Sequence, residues 1–351
     1  MEKFKKPVLI TGGCGFVGRH LVKELLTLGN DIWIIDDLSV GQHPDIWLNG
    51  KIINSENRKI TYQINSNTVT FINQDSLKFL YDMVIAMNAS ELPDFGDIFH
   101  LASIVGGRSL IDGDPMRVAT DLGIDAIFFL WATRFPKKME RILYASSSAA
   151  YPTQLQVDGV YTNLTEEMIQ FNSSNLGQPD MTYGWSKLTG EYLSTIAAKH
   201  YGLHVACIRP FSGYGEDQDL SYPIPSIALR VAKQENPLIV WGTGEQARDF
   251  VYIDDCIKAM FFVLDHVSDG SGVNIGTGKL TTFNQICKKF AELEGYTPII
   301  EPQIDKPVGV HNRYCDPKLI YSLGWKPEYS IEEGLSRVLA GAHERVKAVQ
   351  L

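Results

Sequence analysis

The residues with the strongest chemical character are Tyr183 and Lys187 in the run Tyr183-Gly184-Trp185-Ser186-Lys187, far downstream of a glycine-rich turn at Gly12, Gly15 and Gly18. Positions four apart share a helix face, so the Lys187 ammonium can stand near the Tyr183 hydroxyl. A cation there stabilises phenolate; an unperturbed phenol, with a pKa of about 10, is a poor base at neutral pH. The turn itself, Thr11-Gly12-Gly13-Cys14-Gly15-Phe16-Val17-Gly18, joins an apolar run to a helical pattern. Glycine permits the tight bend and lets a pyrophosphate approach the helix N-terminus. Asp36 lies 24 residues after Gly12, close to the roughly 20 expected of a carboxylate that holds an adenosine ribose. That carboxylate would repel a 2′-phosphate, so the pattern favours NAD over NADP. Asp75, after the third strand, reads as an adenine contact or equally as an ordinary strand-end aspartate.

These side chains need elements to hold them. Residues 8–11 and 31–35 read as buried strands, with a helix over 19–28 between them on the spacing of Leu21, Leu25 and Leu28. The unit is a βαβ crossover of right-handed sense. Further strands are predicted at 69–72, 98–102, 141–145 and 205–209, and helices at 114–133 and 180–201. The alternation implies an α/β fold with a doubly wound parallel sheet of Rossmann type. Residues 47–70 interrupt it as a polar, irregular stretch in which Ile60, Tyr62 and Ile64 alternate as in an inserted hairpin. After Pro210 the texture turns to Gly, Pro and aromatics, with helices near 225–233 and 282–294. The expected division is a NAD-binding domain over 1–210 and a smaller mixed α/β substrate lobe over 211–351; the strand and helix near 250–265 could return to the first.

Composition bounds the partners. The chain has 351 residues, 44% hydrophobic and 21% charged, enough for a large core. A net charge of −9 argues against a nucleic-acid binder, while a local basic pocket for one anion stays compatible. Cys14, Cys207, Cys256, Cys287 and Cys315 are scattered and form no CxxC pair, which speaks against a disulfide framework or a zinc site and for a reducing cytosol. No stretch approaches the ~18 uninterrupted apolar residues of a membrane span. The start of the chain, residues 1–6, is charged and has no apolar secretion segment. A cytoplasmic protein without metal, membrane or nucleic-acid partner is the expectation.

Seven motifs in order carry a family resemblance: TGGCGFVG at 11–18, IIDDLS at 34–39, HLAS at 100–103, ASSSAAY at 145–151, YGWSK at 183–187, RPFSGYG at 209–215 and RDFVYIDD at 248–255. The chain resembles the extended short-chain dehydrogenase/reductases that act on nucleotide sugars, the NAD-dependent epimerases and dehydratases. The resemblance implies that Tyr183 is the general base, that Lys187 binds the nicotinamide ribose and lowers the tyrosine pKa, and that Ser147 donates to the sugar oxygen. It implies a cofactor wall of Gly12, Gly15, Phe16, Val17, Gly18, Asp36, Asp37, Asp75, Ser76, Leu101, Ala102 and Ser103, completed by Tyr183 and Lys187. Ser146 and Ser148 flank Ser147, and any of the three could simply cap a turn.

The fate of a ketone formed at C4 depends on neighbouring acids and bases. The resembling 4,6-dehydratases carry an Asp-Glu pair where this chain has Ser148-Ala149, and the decarboxylases a Glu at Ala149. The GDP-mannose 3,5-epimerases, whose GG and GVxxR stretches resemble Gly106-Gly107 and 309–313, place a cysteine at Ala149, and their lysine is replaced near Pro223. Methyl and hydroxyl groups cannot shuttle those protons. A 4-epimerase needs no extra group, and a 4-dehydrogenase that releases its ketose uses the same residues. A 3,5-epimerase or dehydratase with atypical acid/base residues ranks below both. Arg248 and Arg313 are expected on the diphosphate or ribose, with Gly107, Arg108, Ser148, Ala149 and Ser212 completing the substrate site; Ser212 stands where the family often has Asn. The GG and GVxxR features tilt the expectation toward a GDP-linked over a UDP-linked sugar. Trp185, Trp131 and 128–130 lie on two helices whose outward faces would suit a homodimer, or else pack in the core. A non-catalytic dinucleotide-sensing protein on the same fold is the rival class, disfavoured because such proteins commonly lose the tyrosine or lysine.

Overall fold

Short apolar runs closed by turn residues become the central strands. In the computed structural model, which describes residues 6–350, nine strands form one sheet in the order 269–275, 204–210, 141–145, 97–100, 8–11, 32–36, 67–73, 59–64, 51–56. The charged start at residues 1–5 lies outside the described residues. The first seven strands of that order run parallel and the last two antiparallel. Connections leave Val8–Thr11 in both directions, so the strand order reverses beside it and a crevice opens at its C-terminal end. There Leu101 N donates to Thr11 O at 3.1 Å, drawing the two diverging loops together.

Helices cover both faces. The helix Phe16–Thr27 buries Leu21, Val22 and Leu25 on one face, together with Ile253–His266, whose Phe261 meets Phe99 edge-on at 5.6 Å. Burying each such aliphatic side chain contributes roughly 1.5–3 kcal/mol. The opposite face is covered by Ser76–Ala86, Asp121–Arg134 and Met181–Tyr201, packed over a second apolar cluster around Phe128 and Trp131. Both of those aromatics are fully buried, the core packing that was one of the two readings of this stripe; Trp185 and Leu130 alone of the group remain at the surface.

One departure from the expected elements has a local cause. The helix expected over 114–133 is two pieces, Pro115–Val118 and Asp121–Arg134, and a further short helix, Arg108–Gly113, precedes them. Pro115 cannot donate to a helix passing through Asp114. In the stretch at 47–70 the hairpin that the alternation of Ile60, Tyr62 and Ile64 suggests is present: Lys51–Glu56 and Lys59–Ile64 pair and extend the sheet through antiparallel pairing with Asn67–Asn73. Its outermost strand is exposed throughout and bulged between Ile52 and Asn54, a distortion that blunts an open edge.

Beyond Pro210 the chain builds the wall opposite the crevice. Ala247–Arg248 lies between Thr281–Thr282 and Asn312–Cys315, and the helices Pro223–Ala232, Phe283–Glu294 and Ile331–Gln350 pack behind. The helix Ile253–His266 and the strand Asp269–Ile275 lie with the main sheet. Among the described residues no helix is long and apolar enough to cross a membrane, and all five cysteines are free and buried.

Candidate active site

The glycine turn is shaped by contact on one side and openness on the other. Gly12 has φ +72°, and a Cβ there would stand 2.8 Å from the Ala102 backbone, so both conformation and space require glycine. Gly18 seats the helix on the turn, where a Cβ would lie 2.6 Å from Gly12 O. Gly15 begins the helix Phe16–Thr27 with no side-chain cap and no acidic residue in the first turn. The first N–H groups and the positive end of the helix therefore face the crevice, an arrangement that suits a pyrophosphate. Asp36 accepts from Cys14 N at 2.9 Å and Leu38 N at 2.8 Å. Burial pushes its carboxyl upward while those two N–H groups oppose the shift.

A cavity of about 1190 Å³ runs from this turn to Tyr183 and Lys187. Its wall includes Phe16, Val17, Asp37, Asp75, Ser76, Leu101, Ala102 and Ser103. Asp75 also accepts from Leu77 N at 2.8 Å and so caps the helix Ser76–Ala86. The uncapped helix start, the Asp36 carboxylate at the end of the second strand and the open surface at Gly15 fit a dinucleotide. Because Asp36 is held by backbone donors, Asp36→Asn removes charge while keeping an acceptor. Selectivity for NAD over NADP, measured as a ratio of kcat/KM values, should fall by roughly tenfold as the repulsion of a 2′-phosphate disappears.

Met181–Tyr201 presents Tyr183 and Lys187 to the same cavity as Ser147. The Lys187 Nζ stands 5.8 Å from the Tyr183 ring centroid and donates to Ala145 O at 3.1 Å. Burial works against this ammonium, but Asp125, Tyr183 and Asp121 outweigh it and raise its pKa. Asp125 is fixed by Tyr144 OH at 2.6 Å and His100 Nε2 at 3.1 Å. The Asp125 carboxylate can only accept, so His100 carries its proton on Nε2; burial lowers the imidazole pKa, which leaves Nδ1 bare to accept from Thr11 Oγ1 at 2.7 Å. Asp121 accepts from Ser103 Oγ and Ile104 N, each at 2.6 Å, and burial pushes its carboxyl up to about 6.

Of the three serines, Ser146 is turned away, its hydroxyl donating to Glu191 at 2.5 Å; Glu191 is in turn paired with Arg209 at 2.7 Å. Ser147 Oγ accepts from Ala149 N at 3.1 Å, capping the short turn Ser148–Ala150. Its own proton has no partner among the described residues and is free for a ligand in the cavity.

The far wall is basic. Arg248 and Arg313 are register partners on neighbouring parallel strands. Arg248 donates to the carbonyls of Ala247, Val308 and His311 at 2.8, 3.2 and 3.3 Å. Among the described residues it has no carboxylate partner. Burial, then Arg313, push its pKa down to about 9; a guanidinium keeps its proton all the same, so the cost becomes a demand for an anion. Arg313 donates to Gln156 Oε1 at 2.5 Å and to Asp180 at 2.9 Å. Arg108 is committed to Asp112 at 2.6 and 2.7 Å and to Asp180 at 2.9 Å, which leaves it little to offer a sugar. Ser148 and Ser212 line the cavity. Gly107 and Ala149 do not: Gly107 abuts Ser221, and Ala149 is buried with its carbonyl accepting from Asp180 N at 3.0 Å.

Three features escape a reading of the sequence. Tyr222 lines the cavity, and burial, then the nearby Tyr183, push its phenol well above the usual range. Arg19, on the first helix, pairs with Asp217 at 3.0 Å and ties the glycine turn to the second half of the chain. Asp180 accepts from both Arg313 and Arg108; burial opposes its ionisation, but the two arginines win and lower its pKa. Its place three residues before Tyr183 is the only signal in the sequence.

The model of the NAD dependent epimerase/dehydratase family matches residues 8–276. The putative UDP-glucose 4-epimerase of Methanocaldococcus jannaschii is 29% identical over 95% of this chain and 97% of its own length. The probable GDP-L-fucose synthase 1 of Oryza sativa subsp. japonica is 27% identical over 72% of this chain and 76% of its own. The crystal structure of UDP-glucose 4-epimerase from Thermotoga maritima with UDP-glucose superimposes with a TM-score of 0.76 at 24% identity, covering 97% of this chain and 99% of that one. With the match extending from the first strand to the last strand of the sheet, the chain belongs to the NAD-dependent epimerase/dehydratase family, a family of enzymes that use NAD on nucleotide sugars.

Proposed function

We propose that this enzyme is a nucleotide-sugar 4-epimerase, acting by transient oxidation at the sugar C4. The observation that carries the reading is one cavity holding Tyr183, Lys187 and Ser147 at one end of a basic wall, beside a turn, Ser148–Ala150, without any acid, base or thiol. NAD, when bound, supplies the acceptor and the donor of hydride. Tyr183 takes the proton of the C4 hydroxyl and later returns one, and Lys187 keeps a positive charge beside the phenol throughout. Ser147 donates its free proton to the C4 oxygen as charge develops there. Arg248 and the unengaged edge of Arg313 hold the diphosphate, so the sugar can turn over while its anchor stays. Small Ala149 and Ala150 backing the turn leave no side chain to act at C3, C5 or C6.

On the nucleotide, the GVxxR stretch that supports a GDP-linked sugar is outweighed by the comparisons. The relative named for a UDP-sugar aligns over nearly its whole length, and the one named for a GDP-sugar over three quarters. A UDP-hexose is therefore the substrate to expect. Incubation of the NAD-loaded enzyme with UDP-glucose, UDP-N-acetylglucosamine and GDP-mannose, followed by proton NMR, should show inversion at C4 of a UDP-sugar without net accumulation of reduced cofactor. Stoichiometric reduced cofactor with a released 4-ketose would instead make it a 4-dehydrogenase. Loss of water or carbon dioxide would sink both readings.

A further inference from the structure

Asp180 is buried and is engaged at both its side chain and its backbone. Its carboxylate accepts from Arg313 Nη2 at 2.9 Å and Arg108 Nη1 at 2.9 Å. Its N–H donates to Ala149 O at 3.0 Å on the serine turn, and its carbonyl accepts from Gly184 N at 2.7 Å inside the helix that carries Tyr183. Aspartate is among the best helix N-caps, and Asp180 occupies that position, yet its side chain makes no cap bond. The next residue, Met181, starts the helix at φ +54°, a conformation that L side chains rarely adopt. The helix start is thus held by the arginines rather than by its own cap.

We propose that Asp180 is a positioning residue that couples the diphosphate site to Tyr183. This rests on the nucleotide-sugar reading of the same cavity. Arg313 stands opposite Arg248 in register, so an anion that draws in Arg248 and the free edge of Arg313 pulls on Asp180, and Asp180 is continuous with the first turn of the tyrosine helix. Arg108 steadies the same carboxylate from the other side, anchored by Asp112. The charge balance has a separate consequence. Asp180 is the shared counter-ion of Arg108 and Arg313, so removing it leaves the anion site more positive while the link to the helix is lost. A residue that served the fold alone would on removal weaken binding and turnover together; a coupling residue separates them.

The test uses the NAD-loaded enzyme, titration calorimetry with UDP and with GDP, and steady-state kinetics on the sugar nucleotide that the wild type converts. Asp180→Asn should bind UDP as tightly as the wild type or up to about tenfold tighter, while kcat falls by about tenfold or more as Tyr183 loses its setting. Asp180→Glu keeps the charge one methylene further out; it should bind UDP like the wild type with kcat still lowered, and it decides the matter if Asp180→Asn does not fold. Unchanged kcat in the folded variants, or UDP affinity falling in step with kcat, would overturn the coupling alone. Failure of the wild type itself to bind UDP or GDP would overturn the nucleotide-sugar reading, and the coupling with it.

Discussion

Tyr183→Phe is expected to lower kcat by about a thousandfold while the protein still takes up NAD with its affinity nearly intact. The substitution removes one oxygen and no carbon, so the ring can keep its place 5.8 Å from the Lys187 ammonium. The rest of the cavity wall, from the glycine turn through Asp36 to Ser103, is untouched. What disappears is the only group in the proposed mechanism that accepts the C4 proton. Ser147 cannot replace it, since an alcohol is a far weaker acid than a phenol and, among the described residues, no imidazole lines the cavity to activate it. Asp121 is near the lysine but is turned to Ser103 Oγ and Ile104 N. Two measurements check the expectation, turnover of the UDP-sugar and fluorescence titration of NAD. Retained turnover would remove Tyr183 from the role of base; lost NAD binding would mean that the phenol is needed for the cofactor site rather than for proton transfer.

The parts of this molecule that the sequence announces are those where one local signal dominates. Val8–Thr11 and Arg141–Ala145 are apolar runs closed by glycine and serine, and both strands have the expected ends. Asp269–Ile275 gives no such signal, because Gly270 and Gly272 interrupt it and the register shifts between Asp269 and Gly272. It is a strand because the exposed edge of His204–Pro210 offers it partners. The helix Ile331–Gln350 differs again: Leu335, Val338, Leu339 and Ala342 have helical spacing and are buried, a legible pattern in a stretch where no helix is among the predicted elements. At the site, spacing along one helix puts Tyr183 and Lys187 on a shared face, and the structure brings Ser147 and the glycine turn to the same cavity. No spacing rule reveals that Asp180 meets Arg108 and Arg313 across separations of 72 and 133 residues. For the same reason an arginine that reads as a substrate contact, Arg108, turns out to be occupied by two carboxylates. Long-range ion pairs are set by topology, and a lone sequence carries that information only through its fold.

Lys187→Met carries the largest expected loss of stability. Methionine matches the length of the lysine stem and fills its space, so the change isolates the ammonium. That ammonium is fully buried, and its pKa is raised because Asp125, Tyr183 and Asp121 outweigh the cost of burial. A group whose folded pKa lies above its unfolded value contributes stability that is fully present below the unfolded value, here 10.5, and lost as pH rises through the folded one. At neutral pH the wild type has all of it. Without the ammonium, Asp125 keeps only the neutral donors His100 and Tyr144, and Asp121 only Ser103 and a backbone N–H. Two buried carboxylates left unpaired destabilise by about 3–5 kcal/mol. The pH dependence comes from Asp121, whose carboxyl already sits at about 6 in the intact site and rises further when its cation goes. Both proteins lose stability as pH rises from the unfolded carboxyl value of 3.8; the wild type levels off near 6 and the variant only at its own, higher folded value, so the variant alone keeps falling between the two. The gap between variant and wild type should therefore be smaller near pH 5 than at pH 8, with the Asp125 part present at both, in urea unfolding monitored by circular dichroism. An equal gap at the two values would mean that Asp121 does not feel the lysine. Turnover should be lost by at least about a hundredfold at every pH, because the proposed proton transfer loses the buried cation beside the Tyr183 ring.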